Sequence, residues 1–178
     1  KSKTSDTPAN RAPVVGTVAA SPSIGLVSAT AISFSAASVS DADGDTPTFD
    51  WDFGDTVHST LANPTHTYTA AGTYPAKVTI GDGKGGTVTS VATNVIIKSL
   101  TGTWTGALSG STTFNTTLVL TQIGSSVTGT YSDQVPNAGT LTGAVSAAAP
   151  ILTLSVTVGG NVPFVYLGTP SLGATTDT

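Results

Sequence analysis

The feature that most constrains this chain is a short alternation of aromatic and acidic residues, TFDWDF at positions 48–53. Phe49, Trp51 and Phe53 occupy every second position, and aspartates fill the positions between them. Successive side chains of a β-strand point to opposite faces, so the pattern places three aromatic rings on one face and two carboxylates on the other. It predicts a strand whose aromatic face is buried in a hydrophobic core.

The composition favours strands and turns along the whole chain. Of its 178 residues, 20 are Gly and 10 are Pro, while Met and Cys are absent. Thr, Val and Ile are frequent, and these β-branched residues pack well on a pleated sheet, whereas straight-chain helix formers are scarce. Hydrophobic residues make up 38% of the chain, which is enough for a core. We therefore expect an all-β protein with room for one large or two small domains.

Two segments with different patterns follow a polar N-terminus. Between residues 13 and 98, short apolar runs recur between turn signals, a spacing typical of a β-sandwich. The rest of the chain carries six runs rich in Thr and Gly, separated by short turns, as in an antiparallel meander or partial barrel. We expect an N-terminal linker or extended arm over 1–12, a sandwich over 13–98 and a meander or barrel-like domain over 99–178.

Individual strands can also be predicted. In the meander, pairs of Thr and Gly recur, as in Thr128-Gly129-Thr130, and they indicate positions where Gly relieves crowding between bending strands. Trp104 lies in the first run of the meander and is expected in its core. The candidate strands of the sandwich are VVGTVAA (14–20), AISFSAA (31–37), TFDWDF (48–53), TYPAKVTI (73–80) and TVTSVATNVIIK (87–98).

Charge is sparse and unevenly distributed. Charged residues make up 9% of the chain, against about 25% in an average protein. All six Lys and Arg lie at or before Lys98, and only Asp133 and Asp177 are charged beyond it. Without a basic patch, nucleic-acid binding is excluded. A nearly neutral surface tends to associate, so we expect self-association into a filament or homo-oligomer, or a coat of glycans. The alternative is a soluble β domain whose surface is covered by Thr and Ser. No apolar run approaches the roughly 20 residues of a membrane span.

The sandwich segment carries a series of short motifs in a fixed order: NRAP (10–13), SDADGD (40–45), WDFGD (51–55), PTHTY (64–68), AGTY (71–74) and DGKGG (82–86). Together they resemble the PKD (polycystic kidney disease) domain over residues 10–98. The resemblance implies an immunoglobulin-like β-sandwich. Thr56 departs from the family pattern, in which Gly usually follows WDFGD. The fold-signature residues that the resemblance implies are Trp51, Asp52, Gly54, Asp55, His66, Tyr68 and Gly72.

The C-terminal segment carries motifs of a less defined class. GTWTG, LVLTQIGSSVTGTY and GTLTG resemble lipocalin-like and avidin-like β-meander domains of bacterial secreted proteins. The resemblance covers residues 99–178 and implies an antiparallel meander. A small-ligand-binding interior is an open alternative, because it needs an apolar cavity that the sequence neither shows nor excludes.

A calcium site is the one cofactor that the sequence suggests. DADGD at 41–45 places carboxylates at alternate positions around a Gly, like the first half of a calcium loop, although the distal Glu of an EF-hand is absent. The PKD resemblance implies calcium where this loop meets the Asn-x-x-Pro motif, with Asn10, Asp41 and Asp43 as ligands. The alternative is a solvated turn without a metal.

Catalytic chemistry finds little support in the residues. Asp50 and Asp52 share a face, but a glycosidase pair also needs a long cleft. Two histidines without any Cys are too few for a zinc centre, and the hydroxyls are too numerous to single out a nucleophile. We therefore expect no enzymatic activity. Asn115 begins the sequon Asn-Thr-Thr and is the candidate N-glycosylation site, since Asn63 is followed by Pro.

These observations predict a non-catalytic structural protein, extracellular or on the cell surface of a bacterium. We expect a subunit of a self-assembling fibre or matrix, in which the N-terminal arm or an edge strand of one copy pairs with the open edge of the next. The alternative is an accessory module of a secreted hydrolase, serving as a spacer or a polysaccharide-binding domain.

Overall fold

The computed structural model of the protein describes residues 8–109, 113–133, 138–145, 152–158 and 164–168. Most of the predicted N-terminal arm, residues 1–7, and the C-terminal residues 169–178 lie outside this part. In the described residues all regular secondary structure is β, which confirms the predicted fold class. None of these residues forms a helix of the length and apolarity that crossing a bilayer demands.

The strands fall into three sheets. One has the order β1-β3-β6, a second has the order β2-β9-β7-β4-β5 with β8 paired to β7, and the third has the order β10 to β15. The first two sheets form the sandwich. In chain order the strands are β1 (Val18–Ser21), β2 (Ile24–Leu26), β3 (Ile32–Ala36), β4 (Thr48–Asp52), β5 (His58–Ser59), β6 (Thr65–His66), β7 (Gly72–Gly81), β8 (Thr87–Thr89), β9 (Thr93–Lys98), β10 (Gly102–Ser109), β11 (Thr113–Ile123), β12 (Ser126–Asp133), β13 (Ala138–Val145), β14 (Leu152–Val158) and β15 (Phe164–Gly168).

Two predicted strands of the sandwich differ in extent. The run VVGTVAA contributes only an isolated bridge between Val14 and Ser40 before β1 begins at Val18. The run TVTSVATNVIIK divides into β8 and β9. β8 ends at Thr89. At Ser90 the backbone N–H still donates to the carbonyl of Val78 at 2.9 Å, while the N–H of Val78 donates to the Ser90 hydroxyl at 3.1 Å.

The aromatic face of β4 turns toward the core, as its alternation predicts, with Phe49 half-buried and Phe53, just after the strand, buried. Trp51 is fully buried, whereas Asp50 on the opposite face is exposed. Phe34 of β3 lies between two of these aromatics, with ring centroids 5.5 Å from Trp51 and 4.9 Å from Phe53. Burying each ring contributes about 1.5–3 kcal/mol to the stability of the sandwich.

The C-terminal sheet is an antiparallel meander in which each strand pairs with the next. Its buried face carries Leu120, Val127 and Leu141. Gly129 is required there, because a Cβ at this position would lie 3.0 Å from the carbonyl carbon of Val119 on β11. This contact confirms the predicted use of Gly to relieve crowding. Among the described residues no pairing joins β10 to β15, so the sheet does not close into a barrel.

The compact units of the molecule are interleaved along the chain. The first contains residues 1–23, 32–66 and 73–95. The second contains residues 24–31, 67–72 and 96–178. Two short segments of the sandwich sequence therefore group with the C-terminal sheet.

Candidate metal centre

The acidic loop after the Val14–Ser40 bridge is organised around Asp41. The carboxylate oxygen Oδ1 of Asp41 accepts hydrogen bonds from the backbone N–H groups of Asp43 at 2.8 Å and Asp45 at 3.3 Å. Gly44 adopts φ 81°, a left-handed conformation that suits Gly, and its N–H donates to the Asp41 carbonyl at 3.3 Å. Asp41 thus organises a tight loop in which one carboxylate oxygen of Asp41 and one of Asp45 are buried.

A second loop, between β7 and β8, is organised around Asp82. Its Oδ1 accepts hydrogen bonds from the backbone N–H groups of Lys84 at 2.7 Å and Gly86 at 3.0 Å. Gly83 and Gly85 adopt φ 73° and 102°, which explains the Gly-rich DGKGG motif. Asp82 is only 4% exposed, so its carboxylate depends on these protein donors.

Asn10 joins the N-terminal segment to the second loop. Its side-chain amide donates to Oδ2 of Asp82 at 2.7 Å. This bond is the first cause of the lowered pKa of Asp82, and the backbone N–H groups of Lys84 and Gly86 add to it. Asp82 is therefore held in its ionised form.

The two loops bring three carboxylates together. Asp41, Asp45 and Asp82 each offer an oxygen atom, and these atoms lie within 4.8 Å of one another. Oδ2 of Asp41 and Oδ2 of Asp45 are both buried without a hydrogen-bond partner. Buried carboxylate oxygens in such proximity repel one another unless a cation neutralises them.

Two basic side chains supply part of that neutralisation. Nζ of Lys84 lies 2.5 Å from Oδ1 of Asp45, and this contact raises the pKa of Lys84. Arg11 binds Asp43 through its backbone N–H at 2.7 Å and its guanidinium at 3.0 and 2.6 Å. This bonding lowers the pKa of Asp43. The carboxylate of Asp43 is therefore directed to Arg11.

The donor set fits a hard divalent cation. Carboxylate oxygens are the ligands that calcium prefers, and Oδ2 of Asp41 and Oδ2 of Asp45 are buried without a hydrogen-bond partner. The predicted ligands divide: Asp41 belongs to the three-carboxylate cluster, Asn10 donates to one of its members, and Asp43 is paired with Arg11. That Asn10, Asp41 and Asp43 bind calcium stays a prediction.

Two members of the cluster were not predicted as ligands. Asp45 lies in the same alternation as Asp41, and this alternation is the signal that could have identified it. In the structure Asp45 also forms an ion pair with Lys84. Asp82 lies 41 residues further along the chain than Asp41. Its signal in the sequence is the Asp-Gly-x-Gly turn, in which the Asp side chain folds back on its own loop.

Comparison with known proteins identifies the family of the N-terminal part of the chain. A family model described as the PKD domain matches residues 10–97. The chain belongs to the PKD domain family through this segment. It contains the two loops, the aromatic cluster and all the motifs that resemble the family, so we call residues 10–97 the PKD segment.

Individual relatives match over limited stretches. Collagenase ColA of Clostridium perfringens is 40% identical over 55 residues, which are 31% of this chain and 5% of that protein. The chain thus spans a small fraction of the length of this relative. The PKD1 domain of Vibrio anguillarum Epp is 30% identical, with 51% of this chain and 100% of that domain covered at a TM-score of 0.40.

Two other solved structures align over more of the chain at lower identity. One comes from a study of carbohydrate-binding modules of the beta-sandwich superfamily, with 16% identity, 94% of this chain and 88% of that chain covered, and a TM-score of 0.46. The other is from the fibronectin(III)-like modules of Clostridium thermocellum CbhA, with 16% identity, coverage of 84% and 91%, and a TM-score of 0.38.

The PKD signature residues lie in a turn and a packed layer. Oδ1 of Asp52 accepts from the N–H of Gly54 at 2.9 Å, and this bond is the first cause of the lowered pKa of Asp52. Gly54 adopts φ 84°, and a side chain there would meet Pro75. Oδ2 of Asp55 lies 2.7 Å from Nε2 of His66. These contacts hold the turn that follows β4.

The remaining signature residues take part in packing or begin a strand. His66 stacks on Phe53, with ring centroids 4.4 Å apart and planes 4° from parallel. Tyr68 is fully buried, and Gly72 begins β7.

Asn115, the predicted glycosylation site, is exposed on β11, and its modification stays a prediction.

Proposed function

We propose that the chain is a non-catalytic accessory module of a secreted bacterial hydrolase. The observation that carries this proposal is the PKD segment, supported by the match of 40% identity over 55 residues to a clostridial collagenase. The proposal also agrees with the sequence analysis, which expects no enzymatic activity. The accessory role is therefore better supported than the fibre subunit that the nearly neutral surface predicts.

The polar loops suit a module that holds a neighbouring domain in place. Asn10 and Arg11 anchor the N-terminal segment on two different loops, through Asp82 and Asp43. A segment with two side-chain anchors transmits orientation better than a flexible linker does. We infer a role as a spacer that presents an adjoining hydrolase domain to its substrate.

We also propose that calcium strengthens this anchorage. Asp41, Asp45 and Asp82 would hold the ion, and its charge would stabilise three carboxylates that Lys84 neutralises only in part. Calcium would thereby join the loop at 41–45 to the loop at 82–86.

Assembly into a fibre is the second candidate function. It is favoured by the C-terminal sheet, whose outer strands β10 and β15 have no second partner strand among the described residues. Unpaired strand edges can template pairing with another copy. The N-terminal arm, which would supply the pairing strand, falls largely outside the described residues.

Mass spectrometry of the native secreted polypeptide tests the proposal directly. Peptides of this chain should come from a polypeptide that also contains hydrolase sequence. Native material in which these peptides belong to a polypeptide without any hydrolase sequence would contradict the accessory role. Negative-stain microscopy of the same material separates the second candidate, since a fibre subunit would form filaments.

A further inference from the structure

The face of the C-terminal sheet that carries the buried cluster also carries a carboxylate. Val127, Tyr131 and Asp133 share this face of β12, whereas the residues at positions 128, 130 and 132 are exposed on the other. Val127 is fully buried, while Tyr131 and Asp133 are half-buried. Beyond Lys98 the only other charged residue is Asp177, which lies outside the described residues. A single carboxylate thus lies at the margin of the apolar core.

The two carboxylate oxygens of Asp133 differ in their partners. Oδ2 accepts a hydrogen bond from the hydroxyl of Tyr131 at 2.5 Å. This bond is the first cause that raises the pKa of Tyr131 to about 12, so the phenol stays protonated at neutral pH and remains a donor. Oδ1 is buried and has no hydrogen-bond partner among the described residues. A buried acceptor without a partner is costly, and a ligand with a suitable donor would relieve that cost.

A row of apolar side chains leads up to this carboxylate. The strand register pairs Trp104 of β10 with Leu118 of β11, and Leu118 with Tyr131 of β12. We call these three residues the aromatic row; all are partly buried and pack against the buried cluster. Nε1 of Trp104 donates to the carbonyl of Leu100 at 2.9 Å, which fixes one edge of the indole ring. The register partner of Tyr131 on β13 is Gly139, which has no side chain.

These groups together suit an organic cation. The carboxylate of Asp133 offers a negative charge, and residues 99–178 contain no Lys, Arg or His. The faces of aromatic rings attract cations, and an alkyl stem packs on apolar side chains while its charged end reaches a polar group. A neutral sugar could also stack on the aromatic row, but it would leave the charge of the buried carboxylate uncompensated.

We propose that Asp133 and the aromatic row form a binding site for an ammonium or guanidinium group carried on an alkyl stem. The cationic group donates a hydrogen bond to Oδ1 of Asp133, while Tyr131 keeps its bond to Oδ2. The stem packs along Leu118 toward Trp104. Free alkyl amines and the Lys or Arg side chains of a polypeptide share this chemistry. The site lies outside the PKD segment and is independent of the proposed accessory role.

A titration of the full chain with n-butylammonium chloride, followed by two-dimensional amide NMR, tests the site. Saturable shifts are expected at Leu118, Tyr131 and Asp133, with a Kd in the millimolar range because the ligand is small. 1-Butanol has the same stem without the charge and should cause no saturable shift. Sodium chloride at equal ionic strength controls for screening. A blocked tripeptide with a central Lys distinguishes the sources: tighter binding than butylammonium assigns a polypeptide side chain, and weaker binding assigns a free amine.

Matched variants locate the binding. Asp133→Asn keeps the shape of the side chain and should weaken butylammonium binding by roughly tenfold or more, because it removes a charge-assisted hydrogen bond. Asp50→Asn removes the same charge from an exposed position on β4 and should keep the wild-type affinity. Equal affinity in Asp133→Asn and the wild type would overturn the proposal. So would the absence of saturable shifts in the wild type, or binding of cellobiose at lower concentration than the amine.

Discussion

Thr56 shows how one residue can carry strain within an otherwise well-determined turn. It adopts φ 73°, a left-handed conformation that is unusual for a β-branched residue. The turn around it is fixed by the bond from Gly54 N–H to Asp52 and by the bond from Val57 N–H to Asp55 at 3.2 Å. Gly is thus favoured on physical grounds at the position where this sequence departs from the PKD pattern, because Gly adopts a positive φ without strain.

Thr56→Gly should stabilise the protein. Relief of the left-handed strain is worth roughly 1–2 kcal/mol, and the greater freedom of Gly in the unfolded chain offsets about 0.5–1 kcal/mol of it. We expect a net gain of about 0.5–1 kcal/mol in the free energy of unfolding, measured by urea titration. Thr60→Gly, at an exposed position without a positive φ, should give no gain. If the two substitutions changed the free energy of unfolding equally, the backbone of Thr56 would not be strained.

His58 provides a pH-dependent contact outside the metal centre. Its Nδ1 lies 3.0 Å from Oδ1 of Asp50, and this bond is the first cause of the raised pKa of His58. A pKa raised by folding means that the contact stabilises the protein below the ordinary value of 6.5. That contribution disappears as the pH rises through the raised pKa.

Asp50→Asn should therefore return the pKa of His58 toward 6.5, as followed by NMR titration of the imidazole. The stability difference between the wild type and this variant should be largest below pH 6.5 and should vanish at higher pH. Asp133→Asn removes a carboxylate that makes no bond to His58 and should leave its titration unchanged. A His58 titration that is identical in Asp50→Asn and the wild type would exclude this pairing.

At the scale of elements, the sandwich illustrates what periodicity can and cannot predict. The alternation in β4 predicted both the strand and the burial of Trp51, because every residue of that strand contributes to the pattern. Strands β5 and β6 have two residues each, too few to show any period, and they form only where a neighbouring strand offers hydrogen bonds. The short strand β2 escaped prediction for the same reason.

The metal centre shows a second limit of sequence analysis. The spacing of DADGD predicted a loop like the first half of a calcium loop, and a tight loop around Asp41 is formed. Which other side chains meet it depends on how the loop at 41–45 and the loop at 82–86 approach each other. No local pattern encodes that approach. Asp82 and the pairing of Asp43 with Arg11 therefore emerge only from the folded structure.

Calcium should raise the melting temperature if the three carboxylates bind it. With a Kd of about 10⁻⁴–10⁻³ M, as in extracellular modules, roughly 10 mM calcium would add about 1–3 kcal/mol of stability. Asp45→Asn should lose this gain, while Asp50→Asn, at an exposed aspartate outside the cluster, should keep it. Sodium chloride at equal ionic strength controls for screening. A melting temperature that calcium leaves unchanged in the wild type would remove the site.

At the scale of the whole molecule, two features predict opposite behaviours in solution. The outer strands of the C-terminal sheet, β10 and β15, contain no charged residue and have no second partner strand among the described residues, which favours association. The buried cluster of the same sheet, Leu120, Val127, Leu141 and Val145 with Leu26, Ala29 and Leu100, is instead formed within one chain. An accessory module of a larger enzyme must stay dispersed in order to position its catalytic neighbour.

Sedimentation velocity of the full chain over a wide concentration range distinguishes most directly between the accessory role and the fibre subunit. The account predicts a single monomeric species whose sedimentation coefficient does not rise with concentration, with or without calcium. Species that grow with concentration and appear as filaments in negative stain would contradict it and would establish the fibre subunit instead.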